Sequence, residues 1–125
     1  MDLSQCRLKL RQLITEEIGL MKIFMERKPL LKGTVYLMET KCGKKGCKCE
    51  REGQLHTAWR FTCSHEGKPR AQYLTKKEVV RYKRLTQNYQ RFRRARARLV
   101  KIHVEQMKII NLLEKGLRKG GGKKG

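Results

Sequence analysis

Acidic side chains are scarce. The 125 residues hold 11 Asp/Glu against 32 Lys/Arg, a net charge of +21 at neutral pH. Such an excess opposes compaction by self-repulsion unless a polyanion offsets it, which makes nucleic acid the natural partner. Large apolar groups are also few: three Phe, one Trp and four Tyr, with 38% hydrophobic residues in all. A chain of this kind builds a modest core and draws extra support from a metal, a disulfide or a partner. No run is long enough to span a bilayer, since the apolar stretch Ile18–Met25 is short and broken by Lys22. The opening Met-Asp-Leu-Ser-Gln-Cys lacks the form of a secretory signal. The expectation is therefore a cytoplasmic protein, nucleoid-associated if its partner is DNA, without membrane contact. In a reducing compartment, clustered cysteines more often bind metal or stay free than form disulfides.

The length predicts one compact domain, residues 1–117, and a disordered Lys/Gly-rich tail over 118–125. The charge is unevenly spread. Residues 1–41 carry 8 Lys/Arg and 5 Asp/Glu, residues 42–75 carry 7 and 3, and residues 76–125 carry 17 and 3. Two-thirds of the excess thus lies in the last 50 residues.

Spacings of three and four predict a helix over 3–27, its apolar stripe formed by Leu3, Leu10, Leu13, Ile14, Ile18, Met21, Phe24 and Met25. Cys6 near that stripe reads as a small buried apolar residue. Pro29 ends the helix, because the residue before a proline is pushed out of helical geometry. Gly33 opens a β-like run, Thr34–Thr40, and the glycine-containing, apolar-poor 41–55 reads as a loop. Residues 57–63 alternate as a half-buried strand, 64–69 form a turn, and Arg70–Leu74 returns as the second arm of a hairpin. Thr75-Lys76-Lys77-Glu78 is a capping box from which a long helix runs to about Glu114, with Gly116 as its stop. The predicted class is α+β: an N-terminal helix, a small zinc-stapled hairpin or three-stranded sheet, and a long basic C-terminal helix.

Cys42, Cys47 and Cys49 place three thiols within eight residues, with Gly43 and Gly46 allowing tight turns between them. Such closeness is costly unless a cation joins the sulfurs, and structural zinc takes four tetrahedral ligands. Lys44, Lys45 and Lys48 favour the thiolate form. His56, seven residues beyond Cys49, is the preferred fourth ligand. The rival set is Cys47 and Cys49 with Cys63 and His65, leaving Cys42 out. That Cys-x-Cys…Cys-x-His order resembles the SWIM zinc fingers found in some transposases and ubiquitin ligases. The SWIM pattern expects a helix after its histidine, whereas His65 precedes a Glu-Gly-Lys-Pro turn, and Cys63 is in phase with Trp59 and Phe61 as a buried thiol would be. No Glu sits beside a candidate His in a His-x-Glu arrangement, and catalytic zinc needs an open position with a general base at hand. The cluster reads as a staple, and no enzymatic activity is expected.

On the long helix, Tyr82, Leu85, Tyr89, Phe92, Ala95, Leu99, Ile102, Ile109 and Leu113 form a heptad-like seam for the first helix or a second copy. Arg84, Arg91, Arg94, Arg98, Lys101 and Lys108 form a separate basic stripe rising about 36 Å, roughly one turn of duplex DNA. Arg93 and Arg96 widen it. No acidic residue lies between Lys83 and Lys101. Such a stripe, with Lys44, Lys45 and Lys48, suits salt-dependent and mostly sequence-independent phosphate binding, to DNA or RNA.

Gly33-Thr34, Lys41-Cys42-Gly43-Lys44-Lys45-Gly46-Cys47-Lys48-Cys49, His56, Gly67-Lys68 and Asn88-Tyr89-Gln90-Arg91-Phe92-Arg93 follow in order. Over about residues 5–114 this resembles an uncharacterised family of small bacterial proteins often encoded near transposase genes. In that family the third cysteine is usually followed by His-Gly-Pro and an aromatic; here the chain has His56-Thr57-Ala58-Trp59, keeping the histidine and the aromatic. The resemblance implies this architecture and a mobile-element setting. The functional expectation is a nucleic-acid-binding accessory protein of recombination or transposition. The alternative is a zinc-stapled adaptor that pairs, as a homodimer or with another protein, through its long helix.

Overall fold

Residues 1–40 and 56–120 are described by the computed structural model. Their elements run α1 (Leu3–Phe24), β1 (Thr34–Thr40), β2 (His56–His65), β3 (Lys68–Leu74) and α2 (Lys76–Leu117), an α+β arrangement. The chain forms two compact units, one from Met1–Arg27 with Phe92–Gly125 and the other from Lys28–Arg91. The helix α2 contributes to both. Residues 121–125 of the expected tail lie outside the described residues.

In the first unit, Asp2 starts α1 through a capping box: its carboxylate accepts from the Gln5 amide at 2.7 Å, and the Gln5 side chain accepts from the Asp2 amide at 2.9 Å. The helix ends at Phe24, three residues before the expected limit and well short of Pro29. Phe24 is the last α1 residue with a seam partner, meeting Phe92 edge to face at 5.0 Å, so the turn beyond it has nothing left to bury. The helices run antiparallel, as the pairs Phe24–Phe92, Glu16–Arg98 and Leu3–Gly116 require.

The buried face of α1 differs from the expected stripe. Cys6 and Leu13 are buried with Ile102 and Ile109, and Leu10, Leu20 and Leu113 pack around them. Leu3, Cys6, Leu10, Leu13, Glu17, Leu20 and Phe24 follow strict three–four spacing, matched on α2 by Phe92, Ala95, Leu99, Ile102, Gln106, Ile109, Leu113 and Gly116. Ile14, Ile18, Met21 and Met25 fall outside that seam and are exposed, Ile18 by 55%. Gly116 does not stop α2, which continues to Leu117. It makes room for Leu3, whose Cδ2 would stand 2.6 Å from a Cβ at that position.

In the second unit the sheet has the order β1-β2-β3, both pairings antiparallel. Strands β2 and β3 exceed the predicted lengths because their turn needs only Glu66 and Gly67, at φ 52° and 78°. Two successive positive φ values make the tight hairpin turn whose twist matches that of the strands. Pro69 is accommodated on an edge strand, where a missing amide hydrogen is tolerated. One sheet face carries Val35, Trp59, Phe61, Cys63 and Leu74, which pack with Leu31, Val79 and Tyr82. The Thr75–Glu78 capping box forms as predicted: the Thr75 amide donates to Glu78 Oε1 at 2.9 Å, and the Glu78 amide donates to Thr75 Oγ1 at 3.3 Å.

Gly33 enters this core where no side chain fits. A Cβ there would overlap the buried Phe61 ring and come within 2.7 Å of the Thr62 carbonyl. Gly33→Ala should therefore destabilise the fold by about 1–3 kcal/mol, the usual range for overpacking. Chemical denaturation measures it, and unchanged stability would show that β1 can shift freely at its start.

Candidate functional site

Two sets of residues carry the chemistry expected from the sequence, the cysteine cluster and the basic helix. Cys42, Cys47 and Cys49, with Lys44, Lys45 and Lys48, lie outside the described residues. His56 is the first residue of β2 and is paired with Thr40, the last of β1. Thr40 and His56, which bound the segment outside the described residues, therefore lie on adjacent strands at the same end of the described sheet. Cys63 and His65 lie at the other end of β2, opposite Arg70 and Lys68. Cys63 packs against the core with Phe61 and Trp59, in the phase its sequence position implied, and is a free thiol. His65 leads into the Glu66–Gly67 turn and a strand, with no helix following it. Among the described residues no group of three or more His, Cys, Asp or Glu is placed to hold a metal.

The basic residues of α2 sort by their position relative to the seam. In the second unit, Arg84 and Arg91 are exposed. In the first unit, Arg94, Lys101 and Lys108 recur every seven residues on the solvent side of the helix and are exposed, as is Arg93. None of these four has an ion pair among the described residues. Arg96 is exposed with its guanidinium 5.9 Å from the Phe92 ring centroid. Arg98 immediately precedes a seam position, and so does Glu16 on α1. The two meet as a bidentate pair, Arg98 Nε donating to Glu16 Oε2 at 2.5 Å and Nη2 to Oε1 at 2.7 Å. Arg98 Nη1 also lies 3.7 Å from Glu105. The acid absent from α2 between Lys83 and Lys101 is thus supplied by α1.

Glu17 occupies a seam position itself. Gln106 Nε2 donates to its Oε1 at 3.0 Å, and His103 Nε2 lies 3.1 Å from its Oε2. This polar layer interrupts the apolar seam and fixes the register of the two helices, as single polar seam residues do in coiled coils.

Strand register brings together residues that the sequence reading did not connect. Tyr36 pairs with Arg60 and Arg60 with Tyr73, so a tyrosine, an arginine and a tyrosine form a row across the three strands. The row lies on the sheet face opposite Trp59 and Phe61. The Arg60 guanidinium stands 5.4 Å from the Tyr73 ring centroid, and Nη1 donates to the Met38 sulfur at 3.4 Å. On the inner face, Lys83 Nζ lies 4.2 Å over the Trp59 ring. Gln72 Nε2 donates to the Tyr82 hydroxyl at 3.0 Å.

A family described as "Domain of unknown function (DUF6788)" matches residues 7–87. The chain belongs to the DUF6788 family. The match takes in most of α1, the sheet and the opening turns of α2, and it stops one residue before Asn88. The Asn88–Arg93 element therefore falls beyond the DUF6788 match, and two of its residues have structural partners. Asn88 Nδ2 donates to the Pro29 carbonyl at 3.1 Å, and Phe92 packs on Phe24. No curated protein and no solved structure matches the chain. No helix among the described residues is long and apolar enough to cross a membrane.

The two central carboxylates are both held in their charged form by neighbours across the seam. The Arg98 hydrogen bonds hold Glu16 below the usual glutamate range, and the Gln106 and then the His103 hydrogen bonds do the same for Glu17. Groups whose folded pKa is depressed contribute stability above their unfolded pKa and lose it as pH falls through the folded one. Thermal melts should accordingly fall in midpoint as pH drops from the ordinary carboxylate range to below it. Replacing Glu16 and Glu17 by Gln should lower the midpoint at neutral pH and flatten the acid limb. An acid limb identical to wild type would mean that other carboxylates govern it.

Proposed function

We propose that this protein is a non-enzymatic nucleic-acid-binding accessory protein that engages phosphate through the exposed cations of α2 and is stapled by a structural zinc ion. The observation that carries the reading is the row Arg94, Lys101 and Lys108, with Arg93 beside it: exposed and without ion pairs among the described residues, on a chain of net charge +21. Cations recurring at helical intervals meet successive phosphates and displace condensed counterions, which gives affinity without base readout. Arg84, Arg91 and Arg96, with Lys44, Lys45 and Lys48, belong to the same proposed set. Arg98 contributes less, because Glu16 already takes its charge. A place beside recombination or transposition, in the cytoplasm or on the nucleoid, belongs to this proposal through family resemblance.

The zinc ligands in this reading are Cys42, Cys47, Cys49 and His56. The Thr40–His56 pairing supports His56, since it sets that histidine at the root of the segment that carries the cysteines. The rival ligands are disfavoured by chain length. His56 and Cys63 are seven strand residues apart, about 23 Å. The seven residues from Cys49 to His56 cover about that distance only when fully extended. Bound zinc would cross-link the segment to the sheet as a closed tetrahedral site, with no open position for substrate. Cys42→Ala and His56→Ala should each lower zinc content, and Cys63→Ala should leave it at wild-type level. Metal analysis of the purified variants decides this, and zinc lost by Cys63→Ala but kept by Cys42→Ala would reverse the ligand set.

A second reading, an adaptor that pairs through helices, draws on one observation. Glu16 and Arg98 both precede seam positions, so the side of the helix pair away from them carries Ile14, Ile18 and Met21 of α1 with Val100 and Met107 of α2, all exposed. A salt titration separates the readings. For phosphate binding, affinity for a short DNA or RNA should fall steeply with salt, and Arg94, Lys101 and Lys108 changed together to Gln should reduce the slope by about two to three in log–log form. Salt-insensitive binding, or none to either nucleic acid, together with self-association of the free protein in sedimentation, would replace the first reading by the second.

A further inference from the structure

The row formed by Tyr36, Arg60 and Tyr73 has no part in the core. Trp59, Phe61 and Leu74 occupy the opposite face, where Val79 and Tyr82 cover them. Tyr73 is 67% exposed, one residue from the end of the edge strand β3. Arg60 sits on the central strand between the two tyrosines, and its side chain is only partly exposed. Its guanidinium meets a ring and a thioether sulfur, which is a weak acceptor, and its Nε is buried with no hydrogen-bond partner among the described residues. An arginine on a sheet face ordinarily gains most from a carboxylate or phosphate. The nearest acid in sequence on β1, Glu39, pairs with Thr57 and so belongs to the opposite face. Among the described residues of this unit, 11 Lys/Arg stand against 3 acids, Glu39, Glu66 and Glu78, so the surroundings favour an anionic partner.

We infer that this outer face is a stacking platform for unpaired bases of single-stranded nucleic acid, with Tyr36 and Tyr73 as the stacking rings and Arg60 as the cation between them. Neighbouring strands lie about 4.8 Å apart, so the row spans about 10 Å. Exposed aromatics on sheets of this kind stack two or three splayed bases, and a guanidinium plane adds a further stacking surface beside the phosphates. Duplex offers no such faces, because its bases are already stacked. A row that only cemented the strands would pair its arginine with an acid and cover its rings; here Arg60 has no acidic partner among the described residues, Tyr36 is half-buried and Tyr73 is exposed. The inference rests on the nucleic-acid reading above and narrows it: α2 supplies sequence-neutral phosphate contacts, and the sheet selects single strands over duplex.

The test is fluorescence anisotropy of the full-length, zinc-loaded protein with a labelled 12-nucleotide RNA, the DNA of the same sequence, and each as a duplex. Tyr73→Ala and Tyr36→Ala should each weaken single-strand binding by about tenfold and change duplex binding by less than about twofold. Tyr73→Phe should bind like wild type, because the ring is what stacks. The dependence of affinity on salt should stay unchanged in Tyr73→Ala, since no phosphate contact is removed, whereas the Arg94, Lys101 and Lys108 variant alters it. Tyr73 is exposed, so its alanine variant is expected to fold, and matching circular dichroism confirms that. Single-strand affinity at wild-type level in both alanine variants, with the lysine–arginine variant still weakened, overturns the platform and leaves the phosphate reading standing. Failure of the wild-type protein to bind any of the four ligands overturns both. Equal weakening for single strands and duplex also overturns the platform. If RNA loses affinity but DNA does not, the platform stands for RNA alone.

Discussion

Two helices of like charge have to be held side by side. Helix α1 carries four Lys/Arg and two Glu, and α2 carries thirteen Lys/Arg and three Glu. Their packing rests on a narrow seam and on where the two α1 carboxylates fall. Glu16 reaches across to Arg98, and Glu17 stands in the seam itself with Gln106 and His103. An exposed ion pair is ordinarily worth little. The bidentate geometry and the neighbouring polar layer make this one a determinant of register. Sliding α1 by one turn would carry Glu16 away from Arg98 and leave the Glu17 layer facing Ile102 or Ile109. The hydrophobic contacts alone, Cys6 and Leu13 against Ile102 and Ile109, do not specify that choice so sharply.

That same layer explains why the buried face of α1 was only partly legible. The sequence offers two apolar rows, one through Leu3, Leu10, Leu13 and Phe24 and another through Ile14, Ile18, Met21 and Met25. The second is nearly as hydrophobic. A charged residue at position 17 interrupts the first row and hides its heptad phase, and only the partner helix, with Gln106 in the facing position, reveals it. Gly116 was misleading for a related reason. A glycine near a helix end reads as a stop, yet here it admits the Leu3 side chain from α1 and the helix passes through it. Features written within one segment, such as the Thr75–Glu78 cap and the start of β1 after Gly33, were legible because their partners lie a few residues away.

The sheet follows the same rule. Alternation along β2 shows that Trp59, Phe61 and Cys63 share one face, but a single strand does not say what stands beside Arg60. That needs the register of both pairings, of which only β2–β3 follows from a two-residue turn, at Glu66–Gly67, that the sequence presents as part of a longer polar stretch. The turn sets Tyr73 beside Arg60, the β1–β2 pairing sets Tyr36 there, and so two tyrosines thirty-seven positions apart flank the same arginine. The candidate metal site is legible to a different extent. The spacing of Cys42, Cys47 and Cys49 is local information, whereas the choice between His56 and Cys63 depends on which end of β2 meets the end of β1.

The seam also determines which cations of α2 remain available. Arg98, three residues after Ala95 and one before Leu99, faces the neighbouring helix across its edge, so its charge is matched by Glu16. Arg94, Lys101 and Lys108, each two residues after a seam residue (Phe92, Leu99 and Gln106), lie further round toward solvent and are unmatched among the described residues. A helix with the same composition but its arginines shifted by one position would lose one arrangement or the other. It would leave Glu16 unpaired, or it would turn the outward row toward α1 and add repulsion where the helices must meet. The placement of positive charge in this unit therefore answers two demands at once, holding α1 and leaving a basic face open. Glu16 and Glu17, two of only 11 acids in the chain, sit where the first demand is concentrated.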